Sequence, residues 1–295
     1  MGGTRGATNG LTYDAHKFLT ETLGATYAAR FTPAAPLVVE YMDTRLPAEL
    51  EHYRTAVHLT EILTKRALSN EVITPGRTTV GDVRWWLLQQ VNDLGLGVWF
   101  QPDLRVQRQS KETGLTQQFL SVAEEALVIE RGDVLHVDFG LNYMGLSTDW
   151  QKMAYVLRAG ERDVPAGLRR ALEQTNRLQD ALLKFIKPGA AGGDVYEQTM
   201  AEMKRAGIEA MIYSHSVGTQ GHALGASVDF RRAAASALEP PFRLGSYTSI
   251  ELNTSMPLPE WGGQKVTVMA EDDAYLSPEG MRWFRPRQTD WYVIR

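Results

Sequence analysis

Two stretches of this chain follow one plan. Pro75-Gly76 leads into Gly81-Asp82-Val83, then an amphipathic run through Val83, Leu87, Val91 and Leu94, closed by Gly95; Pro188-Gly189 leads into Gly193-Asp194-Val195, then residues 196–206, closed by Gly207. In each copy the closing glycine lies 12 positions after the valine, and Val83 and Val195 lie 112 residues apart. Capping chemistry agrees: Thr79 with Asp82, and Asp194 with Glu197, are capping-box starts, and Gly95 and Gly207 stand where a left-handed C-cap favours glycine. A solenoid needs at least about three repeats. Two widely spaced copies therefore predict two similar halves of one α+β unit, and 295 residues suffice for one such unit with a sizeable core.

The surrounding segments fit that plan. Residues 134–139 and 148–157 are β-rich around a turn at Asn142-Tyr143-Met144-Gly145, which predicts a hairpin. The second half offers strands at 247–252, 265–269 and 274–276, and a long helix at 168–186 ends at Pro188-Gly189. Ahead of the first repeat, a helix with Pro47 near its first turn carries Glu49 and Glu51 at its positive end and Ala56, Leu59, Leu63 and Ala67 on one stripe. Each half thus packs helices on an antiparallel sheet, and the two sheets must face one another or merge. Residues 1–45 hold one short helical stretch, about 14–23, and a Pro-rich segment at 33–36, too little for a core. They read as a lead-in or the remnant of an N-terminal domain, with 46–295 as the main domain.

Composition removes several function classes. Lys and Arg number 31 against 35 Asp and Glu, with no basic run, so a nucleic-acid or anionic-membrane footprint lacks electrostatic support. No segment approaches the ~20 apolar residues of a membrane span, and the first residues lack the apolar core of a signal peptide, so the expected location is cytoplasmic. Cysteine is absent, so any metal must be held by carboxylates and histidines.

Asp138 and Asp149 lie 11 residues apart on the two arms of the predicted hairpin, inside apolar sequence (VLHVDFG and STDWQKMAYVL). A buried carboxylate without a partner costs several kcal/mol, so something compensates both: a metal, a turn cap, or a pairing with Arg158 or Lys152. His215 and His222 stand seven apart in a Gly-rich segment, a spacing that suits one ligand and one proton carrier. His16, His52, His58 and His136 read as ordinary core or surface residues. Glu251 in TSIELN and Glu271 in VMAEDDAYL are two further acids set in strand-like sequence, whereas Asp272 and Asp273 read as solvated strand-end charge.

Taken in order, Asp138, Asp149, His215, Glu251 and Glu271 resemble the ligand pattern of the M24 "pita-bread" metallopeptidases: methionine aminopeptidases, Xaa-Pro aminopeptidases, prolidases and the metal-free creatinases. The paired aspartates match DFGLNYMGLSTD, the family's His-x-[Ile/Val]-Gly-x-x-x-His matches His215 through His222, its Ile-Glu matches Ile250-Glu251, and its Glu-Asp-Asp…Gly matches Glu271-Asp272-Asp273 through Gly280. The resemblance covers about residues 46–295 and implies the pita-bread fold, itself built from two pseudo-symmetric halves. It implies that Asp138 and Glu271 bridge two ions, that Asp149 chelates one and His215 and Glu251 the other, and that His222 serves as a catalytic residue toward substrate. Four gathered carboxylates would repel, and two divalent cations balance them. Oxygen-rich ligation with one imidazole favours Mn²⁺ or Co²⁺, with Fe²⁺ or Zn²⁺ admissible. Two ions ~3.5–4 Å apart can share a water, lower its pKa and stabilise an oxyanion.

Two features depart from the better-known relatives: Leu252 follows Glu251 where prolidases tend to have Pro-Gly, and Gln101 lies where many relatives place a further His. The resemblance leads to a dinuclear metal-dependent aminopeptidase of Xaa-Pro type acting on the N-terminal bond of short peptides, with a homodimer allowed and neither nucleic acid nor membrane as partner. The alternatives are a methionine-aminopeptidase-like exopeptidase and a catalytically silent pita-bread peptide-binding module. Trp99, Phe100, Tyr213 and Trp261 lie near the motifs as candidate walls for a proline ring.

Overall fold

The computed structural model describes residues 10–109, 123–230 and 240–295. Helices α1 (Tyr13–Ala28) and α2 (Ala35–Asp43) precede α3 (Glu49–Ala67) and α4 (Val80–Asp93). Strands β1 (Gly97–Val98), β2 (Asp103–Gln107), β3 (Val134–Asp138), β4 (Leu141–Tyr143), β5 (Leu146–Ser147) and β6 (Gln151–Val156) complete the first half. The second half runs α5 (Ala166–Phe185), α6 (Gly192–Arg205), β7 (Glu209–Ser216), β8 (Val228–Asp229), β9 (Tyr247–Pro257), β10 (Lys265–Ser277), β11 (Gly280–Trp283) and β12 (Tyr292–Ile294).

The two sheets merge. One nine-stranded sheet has the order β2-β3-β6-β10-β9-β7-β8, with β11 on β10 and β12 parallel to β6. Reading outward from the β6–β10 seam, β6, β3 and β2 mirror β10, β9 and β7, each half preceded by a long helix and a 14-residue one. The repeat in the sequence is thus the pair α4 and α6. Thr79 and Asp82 form the capping box at α4, and Gly95 and Gly207 both take positive φ, 68° and 67°. The second capping box does not form: α6 begins at Gly192, which leaves Asp194 in the first turn facing the helix dipole.

Alternation along the strands separates two environments. Leu135, Val137, Ala154 and Val156 join Ala56, Leu63, Val83 and Leu87 in one core, while Ile250, Leu252, Ala270 and Ala274 join Leu178, Leu182, Val195 and Met203 in the other. The intervening residues Asp138, Gln151, Glu251 and Glu271 therefore share the opposite sheet face. Leu252 is a fully buried core residue on the helix side.

Other segments depart from expectation. The hairpin turn is tighter, with Met144 (φ 52°) and Gly145 (φ 80°) as its two central residues. Its arms β4 and β5 join β1 in a separate three-stranded sheet, so Asp138 is in register with Gln151, and Asp149 lies in the connection just before β6. Residues 265–269 and 274–276 are one continuous strand that carries Glu271, Asp272 and Asp273 through its middle. The first helix is longer than 14–23 and is interrupted at Gly24, with no buried residue; Arg45, beyond α2, donates to the Val217 carbonyl at 2.9 Å.

Candidate metal centre

Five residues far apart in sequence meet on one face of the sheet. His215 Nε2 lies 3.5 Å from Asp149 Oδ2, 3.5 Å from Glu251 Oε2 and 3.6 Å from Glu271 Oε1. Potential ligand atoms within 4.8 Å of one another form the groups Asp138, Asp149 and Glu271; His215, Glu251 and Glu271; and Asp149, His215 and His222. All six residues singled out from the sequence therefore fall in one place, with Asp149, His215 and Glu271 each common to two groups. His222 sits at the rim, its side chain 59% exposed and its Nε2 3.9 Å from Asp149 Oδ2.

The hydrogen bonding orients His215. Its Nδ1 lies 3.0 Å from the Ser216 carbonyl and donates to it, which leaves the Nε2 lone pair facing three carboxylates. A neutral imidazole in that setting is repelled unless a positive charge intervenes or the ring takes a proton. Burial pushes the His215 pKa down, but Asp149, Glu251 and Glu271 reverse this and hold it well above the usual histidine value. Burial, then the neighbouring acids, raise Asp138 and Asp149 well above the carboxylate range, and Glu251 is pushed up to about 7 by burial and Glu271. Asp138 Oδ1, Asp149 Oδ1 and His215 Nε2 are buried without a hydrogen-bond partner. Such a set suits divalent cations.

Several residues of the site were not legible as such in the sequence. Asp273, expected in solvent, is fully buried: it accepts from the Asp149 amide at 3.2 Å and the Tyr53 hydroxyl at 2.9 Å and so braces the loop that carries Asp149. Asp272 is equally buried on the helix side, where Lys152 Nζ donates at 2.8 Å and Gln179 Nε2 at 3.0 Å. Lys152 therefore serves Asp272 and pairs with neither Asp138 nor Asp149. Arg158 instead reaches Gln109 at 2.6 Å. The Ser249 hydroxyl donates to Glu271, and Gln151 donates to both Glu251 and Glu271. His136 is a core residue whose Nε2 reaches Gln151 at 2.7 Å, and burial lowers its pKa to about 3. The available signal was the presence of polar residues inside fully buried strand sequence.

Around the rim, the Trp99 indole stands edge-on to His222 at 4.9 Å and to Phe100 at 4.4 Å, and its Nε1–H donates to the Thr148 carbonyl at 2.8 Å. The approach requires glycine: a Cβ at Gly221 would fall 2.0 Å from Trp99 Cε2. Gln101 accepts from Arg84 at 3.1 Å on the exposed side. Tyr213 is buried and bonded to Asn253, and Trp261 lies in the core with Leu168 and Val266, so Trp261 is no pocket wall.

The model of metallopeptidase family M24 matches residues 51–277. No curated protein sequence matches the chain. Among solved structures it is similar to an X-Pro aminopeptidase from Thermotoga maritima, at 17% identity and TM-score 0.75 over 97% of this chain and 74% of that one. A Xaa-Pro dipeptidase from Bacillus anthracis is similar at 19% identity and TM-score 0.66 over 97% and 73%. A methionine aminopeptidase from Thermotoga maritima is similar at 20% identity and TM-score 0.57 over 81% and 97%. No helix among the described residues is long and apolar enough to cross a membrane. Two pseudo-symmetric halves merged into one sheet form the pita-bread architecture, and with a family match over most of its length this chain belongs to metallopeptidase family M24.

Proposed function

We propose that the chain is an aminopeptidase that holds two divalent ions and releases the first residue of short peptides, with Xaa-Pro peptides as its preferred class. The observation that carries the reading is that Glu271 belongs both to the group with Asp138 and Asp149 and to the group with His215 and Glu251. In this reading Asp138 and Glu271 would serve both ions, with Asp149 as a further ligand for one and His215 and Glu251 as further ligands for the other. The oxygen-rich set suits Mn²⁺ or Co²⁺, with Fe²⁺ or Zn²⁺ admissible. Such ions, when bound, lower the pKa of an attacking water and polarise a scissile carbonyl.

The chain's own residues do the rest. His222, at the rim and within reach of Asp149, donates to the substrate carbonyl as charge develops there. Proline in the second position removes the N–H of the scissile amide, so its recognition rests on an apolar wall, and Trp99 with Phe100 offers one beside His222. The similarity to an X-Pro aminopeptidase and a Xaa-Pro dipeptidase over nearly the whole chain supports this class. A methionine-aminopeptidase-like specificity is the second reading, favoured by the fact that the alignment spans 97% of such an enzyme.

The test is Mn²⁺- or Co²⁺-loaded protein assayed on matched Xaa-Pro-Xaa, Xaa-Ala-Xaa and Met-Xaa peptides with free or acetylated amino termini. Faster release from the proline series and poor turnover of acetylated peptides are the expected outcome. Preference for Met with alanine next moves the assignment to the second reading, and inactivity on every series favours a peptide-binding module.

A further inference from the structure

We propose that Gln151 is a positioning residue that assigns the oxygens of Glu251 and Glu271, and through them sets the affinity of the His215 side of the centre. The inference rests on the metal reading above. Gln151 is the first residue of β6, buried, and in register with Asp138 on one neighbouring strand and Glu271 on the other. Its side-chain nitrogen donates to Glu251 Oε1 at 2.6 Å and to Glu271 Oε2 at 2.9 Å, one N–H for each acid. Its Oε1 lies 2.7 Å from His136 Nε2.

Only one orientation of the amide satisfies all three contacts. With the amide reversed, its oxygen would face two carboxylates. The His136 ring therefore carries its proton on Nε2 and donates to Gln151, so the buried imidazole locks the amide and the amide locks the acids. The complementary oxygens, Glu251 Oε2 and Glu271 Oε1, are the ones turned to His215 Nε2, at 3.5 and 3.6 Å. Each glutamate thus has one oxygen tied to Gln151 and the other turned toward His215, that of Glu271 also accepting from the Ser249 hydroxyl.

The clamp is unequal across the centre. Glu271 keeps a second donor, the Ser249 hydroxyl, whereas Gln151 is the side-chain hydrogen-bond donor to Glu251 among the described residues. Asp138 and Asp149 take no hydrogen bond from Gln151, and the Asp149 loop is braced separately by Asp273. Removal of the amide should loosen the group of His215, Glu251 and Glu271 and spare the Asp138–Asp149 side.

The test is calorimetric titration of Mn²⁺ into the metal-free full chain, without substrate. Gln151→Met keeps length and removes the donors; one of two binding events should weaken ~10–100-fold, the range for loss of an outer hydrogen-bond partner, while the other stays within about threefold. His136→Asn, which leaves the amide in place but frees its orientation, should weaken the same event by less, and it carries the test if Gln151→Met does not fold. A merely structural role would weaken both events together, and that result, or unchanged affinities in both variants, overturns the proposal. Unaltered protein that binds no Mn²⁺ removes the metal reading and this proposal with it. A wrong substrate class touches neither titration.

Discussion

Glu251→Gln relieves part of the electrostatic strain of the metal-free centre. The Glu251 carboxyl is pushed from 4.5 to about 7, so between those pH values the folded metal-free chain holds a proton that the unfolded chain has released. Stability conferred by this group then falls as pH rises. Over that window the loss amounts to roughly 3 kcal/mol, less than half of it incurred by pH 5.5. Glutamine is nearly isosteric and carries no charge, and its carbonyl can still accept from Gln151. The stability of Glu251→Gln relative to the unaltered protein should therefore rise by about 2 kcal/mol between pH 5.5 and pH 8. His136, with its pKa lowered to about 3, contributes in the opposite sense, since stability rises with pH between about 3 and 6.5 and is level above. That contribution is common to both proteins and cancels in the difference. The assay is urea unfolding followed by circular dichroism, with EDTA, at both pH values. Saturating Mn²⁺ should invert the order at pH 8, because only the unaltered chain gains the full ligation energy. A stability difference that is flat with pH, or one that falls, would show that the Glu251 carboxyl is not raised in the metal-free fold.

Three further outcomes follow from specific contacts. His222→Ala should retain the metals bound by the unaltered chain and lower kcat by ~10²–10³-fold, the scale for one oxyanion donor; metal loss as severe as in His215→Ala would show that the two histidines exchange roles. Gly221→Ala drives a Cβ to 2.0 Å from the Trp99 indole and should destabilise by ~1–3 kcal/mol in urea unfolding, with Trp99→Ala in the same chain recovering part of the loss; an unchanged midpoint refutes the close approach. Asp272→Ala leaves the Lys152 ammonium buried without its carboxylate and should cost ~3–5 kcal/mol, whereas Asp272→Leu combined with Lys152→Met should cost less; equal losses would show that the pair is not coupled.

Features written within a few residues can be read along the chain. Positive φ at Gly95 and Gly207, the Thr79 cap and the helical stripes are local, so the two-halved α+β plan was legible from one repeat. Asp138, Glu251 and Glu271 were legible for a related reason: acids inside apolar strands are costly, so their presence already implies something that compensates them. Which group compensates each acid is set by the fold. Asp272 and Asp273 are adjacent and alike in sequence, yet strand alternation sends one to Lys152, 120 residues away, and the other to Tyr53, 220 residues away. It likewise decided that the half-sheets merge at β6 and β10, which places Gln151 in register with both Asp138 and Glu271. Capping and periodicity act along the chain and can be read from neighbours, whereas the neutralisation of a buried charge acts through space and depends on which distant strand the sheet sets beside it.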